Sequence, residues 1–230
     1  MLELILIRHP KTIANHNGVL QGGGTDAELV PGWEKDVDEL AEKLVKLGNF
    51  DAVLASDLKR ADLPARRIFD RMREEGWHLD YVSTYILRER NWGILDGTDY
   101  EKLPYGKQCI AKQLFQQGGV DGGEALNQIE KRIERVNREY IDKYKREVGV
   151  MEQKFFDSLV RHLPESGVIR ENVKKYVHRL AVIGSGVFFN YYINHEVREG
   201  VLTGGYKRFD NLESRALIMG NPAKELSYSI

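Results

Sequence analysis

Cysteine is almost missing from this chain of 230 residues. Cys109 stands alone, so no disulfide can close within it. No Asn-x-Ser/Thr sequon occurs either, and both absences fit a reducing compartment. An excess of charge is missing too: Lys+Arg total 34 and Asp+Glu 35, for a net charge of −1. That balance leaves no electrostatic footprint for nucleic acid or an anionic membrane. Long apolar runs are also lacking. The most apolar later stretch, Leu180 to Ile193, is too short to span a bilayer and contains Asn190. The amino terminus enters a strand pattern directly, without a basic region or cleavage pattern. The expectation is a cytoplasmic protein with no nucleic-acid or membrane partner. With no repeat, low-complexity tract or composition break, it is expected to form a single domain over 1–230. Composition leaves the oligomeric state open.

What is present is an alternation of two periodicities. Leu4 to Ile7 is a short apolar run, within a stretch from Leu2 that reads as a buried strand, and Pro10 stops its pairing. A Gly-rich loop with Gly22-Gly23-Gly24 and Pro31-Gly32 follows. Val37, Leu40, Ala41, Leu44 and Leu47 then recur at helical spacing, closed by Gly48. Asp51 to Ala55 is a second strand. A helix through Ala61, Ala65, Ile68, Phe69 and Met72 ends before Gly76, with Pro64 expected in its first turn. Tyr81 to Leu87 reads as a third strand, and Arg88 to Gly123 as loop-rich.

Ile129, Ile133, Val136, Tyr140 and Tyr144 define a long amphipathic helix, and Phe155 to Leu163 a shorter one. Leu180 to Ile183 is another strand, followed by Gly184-Ser185-Gly186 and a helix from Val187 towards Glu199. Ser214 to Met219 is the last strand. Strands alternating with helices predict an α/β fold: a three-layer α/β/α sandwich on a mostly parallel central sheet, with a helical insertion around 124–163.

Parallel strands deliver their carboxyl ends to one sheet edge, where open α/β sheets bind ligands. Three such ends carry polar or glycine residues: Arg8-His9, Ser56 to Arg60, and Gly184-Ser185-Gly186. Arg60 lies about one helical turn past its strand, within reach of that edge. Two arginines flanking a histidine suit an anion held by charge-assisted hydrogen bonds. On spacing alone, Arg60 reads equally as a solvated helix residue.

These residues carry a family resemblance. Leu6-Ile7-Arg8-His9 with Thr12 and Asn15, then Gln21-Gly22, then Ser56 to Ala61, resembles the histidine phosphatase superfamily, the phosphoglycerate mutase-like group. The similarity continues through Leu87 to Gly93, Leu95-Asp96-Gly97 and Gly122-Gly123-Glu124, and resumes near residue 180. It implies a phosphoglycerate mutase-like fold and a nucleophilic His9 that accepts a phosphoryl group. Arg8, Arg60 and Asn15 bind the phosphate in that reading, and Glu89 is the general acid and then base. Apart from the resemblance, the favoured reading of Glu89 is a loop residue paired with Arg88 or Arg90. The resemblance implies no metal and no cofactor.

The chain departs from the family at three places. Pro10 replaces a glycine, Pro64 stands where threonine is common, and Gly184 aligns with a second histidine that contacts the phosphate. A one-residue slip brings Ser185 into that pocket instead. His178 and His195 read as ordinary surface or packing residues. Loss of one preorganised donor is worth about a hundred- to a thousandfold in rate. Three readings follow: a phosphomonoester hydrolase acting on a phosphorylated small molecule, a phosphoglycerate mutase-type enzyme, and a weakly active phosphate-binding pseudoenzyme. By the resemblance, specificity is expected from Thr98 to Gly123 and from the helices from Glu124 to about Leu163. Lys102, Lys107 and Lys112 there read first as a solvated surface and second as contacts to a further acidic group.

Overall fold

The computed structural model describes residues 2–99, 121–147, 178–197, 210–219 and 224–226. The shorter helix over Phe155 to Leu163 and the lysines Lys102, Lys107 and Lys112 lie outside them.

Strand β1 (Leu2–Arg8) is buried from Leu2 to Ile7 and splits its side chains between two cores. Leu4 and Leu6 join the cluster on one face, Ile5 and Ile7 the cluster on the other. A strand buried on both faces needs apolar side chains on both, and its one buried charge, Glu3, is paired with Arg179 at 2.6 Å. After a four-residue helix, α1 (Ile13–His16), come α2 (Trp33–Leu47), β2 (Ala52–Ser56), α3 (Lys59–Glu74) and β3 (Asp80–Thr84). Later elements are α4 (Leu126–Val136), β4 (His178–Gly184), α5 (Gly186–Val197), β5 (Ser214–Met219) and β6 (Lys224–Leu226).

The sheet order is β3-β2-β4-β1-β5-β6. Pairings β3–β2, β2–β4 and β4–β1 are parallel, while β5 and β6 run antiparallel at one side. Residues of α2 and α3 pack with Ile5, Ile7, Val53 and Ile183 on one face. Residues of α4 and α5 pack with Leu4, Leu6, Leu54 and Val182 on the other. This is the expected α/β fold with a mostly parallel sheet. No helix among the described residues is long and apolar enough to cross a membrane.

Four expectations need correction. The third strand stops at Thr84, and Tyr85–Leu87 forms a 3₁₀ turn whose Ile86 N–H donates to Thr84 Oγ1 at 3.3 Å. The hydroxyl offers the chain a local partner that competes with the ladder. Pro64 is the sixth residue of α3 and lies past its first turn, so it removes the N–H that would bond the Arg60 carbonyl. His178 opens β4, where Nδ1 sits 3.0 Å from Asp51 Oδ1, instead of preceding it.

The long amphipathic helix is the fourth case. It widens into a π turn at Asn137–Ile141. The buried series is Ile129, Ile133, Val136, Ile141 and Tyr144, with Tyr140 only half-buried. The five-residue step from Val136 to Ile141 exceeds an α-helical turn, and a π turn restores the apolar stripe to one face.

Candidate active site

His9 follows β1 directly, and its backbone N–H donates to the Gly184 carbonyl at 2.9 Å. The side chain is 3% exposed. Its Nδ1 lies 2.7 Å from the Pro10 carbonyl. A carbonyl only accepts, so the ring proton sits on Nδ1 and the lone pair on Nε2. Burial, then the charges of Arg60 and Arg8, hold the imidazole well below its ordinary pKa, opposed by the Pro10 hydrogen bond. The result is a neutral imidazole between two cations.

Arg60 is 1% exposed although it sits in the first turn of a helix. Its Nη2 donates to the Gly22 carbonyl at 2.9 Å and its Nη1 to the Thr25 carbonyl, while Nε has no hydrogen-bond partner. Burial disposes of the alternative that Arg60 is a solvated helix residue. Its neighbour Lys59 is exposed. The loop that receives Arg60 is fastened from the opposite side. Asp96 accepts from the backbone of Gly22 and Gly24 and from Thr25 Oγ1. A Cβ at Gly22 would lie 2.7 Å from the Arg90 carbonyl, and one at Gly23 would lie 2.7 Å from the Glu89 carbonyl. The glycine run exists because two backbones meet there.

Asn15 lies in α1 and closes a reciprocal cap with Thr12. Its N–H donates to Thr12 Oγ1 at 3.1 Å, and the Thr12 N–H donates to Asn15 Oδ1 at 3.3 Å. Gln21 Nε2 donates to the same Thr12 hydroxyl at 2.7 Å. Asn211 Nδ2 bridges the His9 carbonyl at 3.0 Å and Asn15 Oδ1 at 3.5 Å. The Asn15 carboxamide oxygen is therefore turned towards backbone and neighbouring amide.

Glu89 is buried in the loop after β3. Its Oε1 accepts from the Arg90 N–H at 2.7 Å, and its Oε2 from the Val187 N–H at 3.2 Å, in the first turn of α5. Burial raises its pKa above the ordinary carboxyl value. The Arg90 and Val187 hydrogen bonds and the charges of Arg60 and Arg132 oppose that rise. Side-chain pairing with Arg88 or Arg90 does not occur. Arg88 forks onto Asp57 at 2.6 and 2.7 Å, and the Arg90 guanidinium reaches the Glu124 carbonyl and Tyr191.

Gly184 pairs in register with Arg8, so the residues that leave the two strands side by side are His9 and Ser185. Ser185 is buried. A Cβ on Gly184 would meet the Phe189 ring at 2.9 Å and the Leu87 carbonyl at 3.4 Å. The space beside position 184 thus belongs to a phenyl ring from α5.

Arg60 and Arg8 act on the ionisation of His9, and Arg60 also acts on Glu89. Strand register sets Ser185 beside His9, and Asn211 links Asn15 to the His9 carbonyl. Arg8, His9 and Ser185 stand at the carboxyl ends of β1 and β4, and Arg60 in the first turn of the helix after β2. Such a constellation can hold a tetrahedral anion against a nucleophilic Nε2 and supply a proton from a buried carboxyl. Sequence reasoning did not single out Asp26, Asp96 or Arg132 as partners of this site. Asp96 sat within a quoted motif, whereas nothing in the local sequence marks the other two.

The sequence profile of the histidine phosphatase superfamily (branch 1) matches residues 4–180. A broad-specificity phosphatase of Saccharomyces cerevisiae is 33% identical over 106 residues, which are 44% of this chain and 45% of that protein. A probable phosphoglycerate mutase, GpmB, of Yersinia enterocolitica is 27% identical over 136 residues, 58% of this chain and 60% of that one. The matched stretch spans about half the length of these relatives. The structure of a mycobacterial glucosyl-3-phosphoglycerate phosphatase in complex with VO3 superposes with a TM-score of 0.62 and 18% identity. That match covers 94% of this chain and 92% of the other, and at this identity it speaks for the fold.

Proposed function

The chain belongs to the histidine phosphatase superfamily, and on that premise we propose that it is a phosphomonoester hydrolase whose nucleophile is His9. The observation that carries the reading is the buried imidazole kept neutral by burial and two guanidinium charges, with its proton on Nδ1. A lone pair on Nε2 is what attack on phosphorus requires. In the first step the Nε2–P bond forms and the ester P–O bond breaks. Glu89, whose pKa burial raises above the ordinary carboxyl value, gives a proton to the leaving oxygen. In the second step the Glu89 carboxylate takes a proton from water, which attacks phosphorus and releases phosphate and His9. Arg8, Arg60 and Asn15 hold the transferring oxygens, and the partnerless Nε of Arg60 supports that assignment. No metal or cofactor enters these steps. The substrate class is a phosphorylated small molecule in the cytoplasm.

A weaker enzyme, or a phosphate-binding module, is the second reading. The observation that favours it is Phe189 packed against Gly184, with no histidine beside His9 on the paired strand. Ser185 offers a neutral hydroxyl there and so a weaker donor to phosphate. The hydrolase reading is tested by incubating the protein with a panel of phosphorylated metabolites. It expects phosphate release and an acid-labile phosphoprotein, both lost in His9→Ala. Phosphate binding without turnover above that control establishes the binding module instead. Interconversion of 2- and 3-phosphoglycerate without phosphate release establishes a mutase.

A further inference from the structure

The segment that carries Glu89 is held from three directions, and one side chain joins two of its anchors. Arg132, on α4, donates through Nη1 to the Arg88 carbonyl at 2.9 Å and to the Glu89 carbonyl at 3.5 Å. Its Nη2 lies 3.0 Å from Glu124 Oε2, with both side chains no more than 15% exposed. The same Glu124 oxygen accepts from the Asn91 N–H at 3.2 Å, and the Glu124 N–H donates to the Asn91 carbonyl at 2.8 Å. The Arg132 guanidinium lies 4.5 Å from the centre of the Phe188 ring on α5, the helix whose Val187 N–H holds the Glu89 carboxylate. One buried cation therefore links α4, the Glu89 backbone and the helix that grips its side chain.

We propose that Arg132 is the positioning residue for Glu89, with Glu124 as its anchor. This inference rests on the hydrolase reading. Arg132 touches neither phosphate nor leaving group; it fixes where the Glu89 carboxyl stands and adds a positive charge behind it. Misplacement of a proton donor by about 1 Å is enough to cost on the order of a hundredfold. The loss falls on substrates that need the proton. A leaving group that departs as a stable anion needs little help, whereas a poor one depends on general acid catalysis.

The charged and titratable groups facing Glu89 are Arg60 from α3, Arg132 from α4 and Tyr191 from α5. Removing the Arg132 charge lets the Glu89 proton persist to higher pH, so the alkaline limb of kcat/KM moves up.

The test compares wild type, Arg132→Met, Arg132→Lys and His9→Ala on p-nitrophenyl phosphate and phenyl phosphate across pH. Arg132→Met is expected to lose about tenfold to a hundredfold in kcat/KM on phenyl phosphate, but less than about threefold on p-nitrophenyl phosphate. Its alkaline limb shifts upward, and Arg132→Lys, which keeps the charge, returns the limb to the wild-type position. If the methionine variant does not fold, a smaller leaving-group-selective loss in Arg132→Lys supports the proposal. Equal losses on both substrates, or none, overturn it. A wild type without His9-dependent turnover overturns the hydrolase reading and this inference together. Turnover that depends on His9 but is indifferent to Arg132 overturns this inference alone.

Discussion

Gly184 decides how the site can be repaired. Installing histidine there is the natural attempt to restore a second imidazole, but the first atom beyond the backbone meets the Phe189 ring at 2.9 Å. The contacting atom is Cζ, the tip of a buried ring that lines a small cavity with Leu87, Val136 and Tyr192, so the ring must shift inwards to admit a larger side chain. Overpacking of this kind costs about 1–3 kcal/mol. Gly184→His alone is expected to lower stability by that amount and leave phosphatase turnover no higher than wild type. Adding Phe189→Leu relieves the clash, and recovery of thermal stability in the double variant checks the assignment. A Gly184→His protein as stable as wild type would contradict it. Ser185 is the better position for a new donor, because strand register sets it next to His9.

Helix α3 presents Arg60 only because something else caps it. Its own N-cap residue, Leu58, has no side-chain acceptor. Asp26 reaches across and accepts from the Lys59 N–H at 2.7 Å and the Arg60 N–H at 3.3 Å. A carboxylate there satisfies orphan amides and complements the helix dipole. The same side chain stands 4.0 Å from Arg60 Nη1, beside the loop whose carbonyls take up that guanidinium. Asp26→Ala is expected to destabilise the protein by about 1 kcal/mol. It should also raise KM for a phosphomonoester more than it lowers kcat, since phosphate binding loosens while proton transfer is untouched. Asp26→Asn, which keeps an acceptor, should retain most of the stability. The measurement is steady-state kinetics beside thermal melts. A kcat loss with unchanged KM would show that Asp26 does not act through Arg60.

Across the whole molecule, the sheet was legible because a strand buried on both faces must be mostly apolar, as Leu4 to Ile7, Ala52 to Ala55 and Leu180 to Ile183 are. The candidate site was placed from sequence where a residue sits at such a strand's end: Arg8, His9 and Ser185. Less legible were features fixed by contacts remote in sequence, such as Asp26 under α3, Arg132 behind Glu89 and Phe189 beside Gly184. The π turn escaped because a helical period was read through Tyr140. Long-range burial also sets an acid–base property no local pattern carries. His9 is held below the free value of 6.5, so the unfolded chain binds a proton that the native imidazole refuses. Stability is then lost as pH falls from 6.5 towards the native value. Glu89 is held above the free value of 4.5, so the native carboxyl keeps a proton that the unfolded chain releases. Its contribution is present below 4.5 and lost as pH rises through the native value. His9→Gln should therefore lose less stability than wild type between about pH 7 and about pH 5. Glu89→Gln should gain on wild type as pH rises from 4.5. Thermal midpoints across this range check both signs. Since both groups face Arg60, the double variant should depart from the sum of the two. Parallel pH curves for wild type and His9→Gln would mean that His9 titrates as an ordinary imidazole, and a neutral nucleophile would then have to be explained without burial.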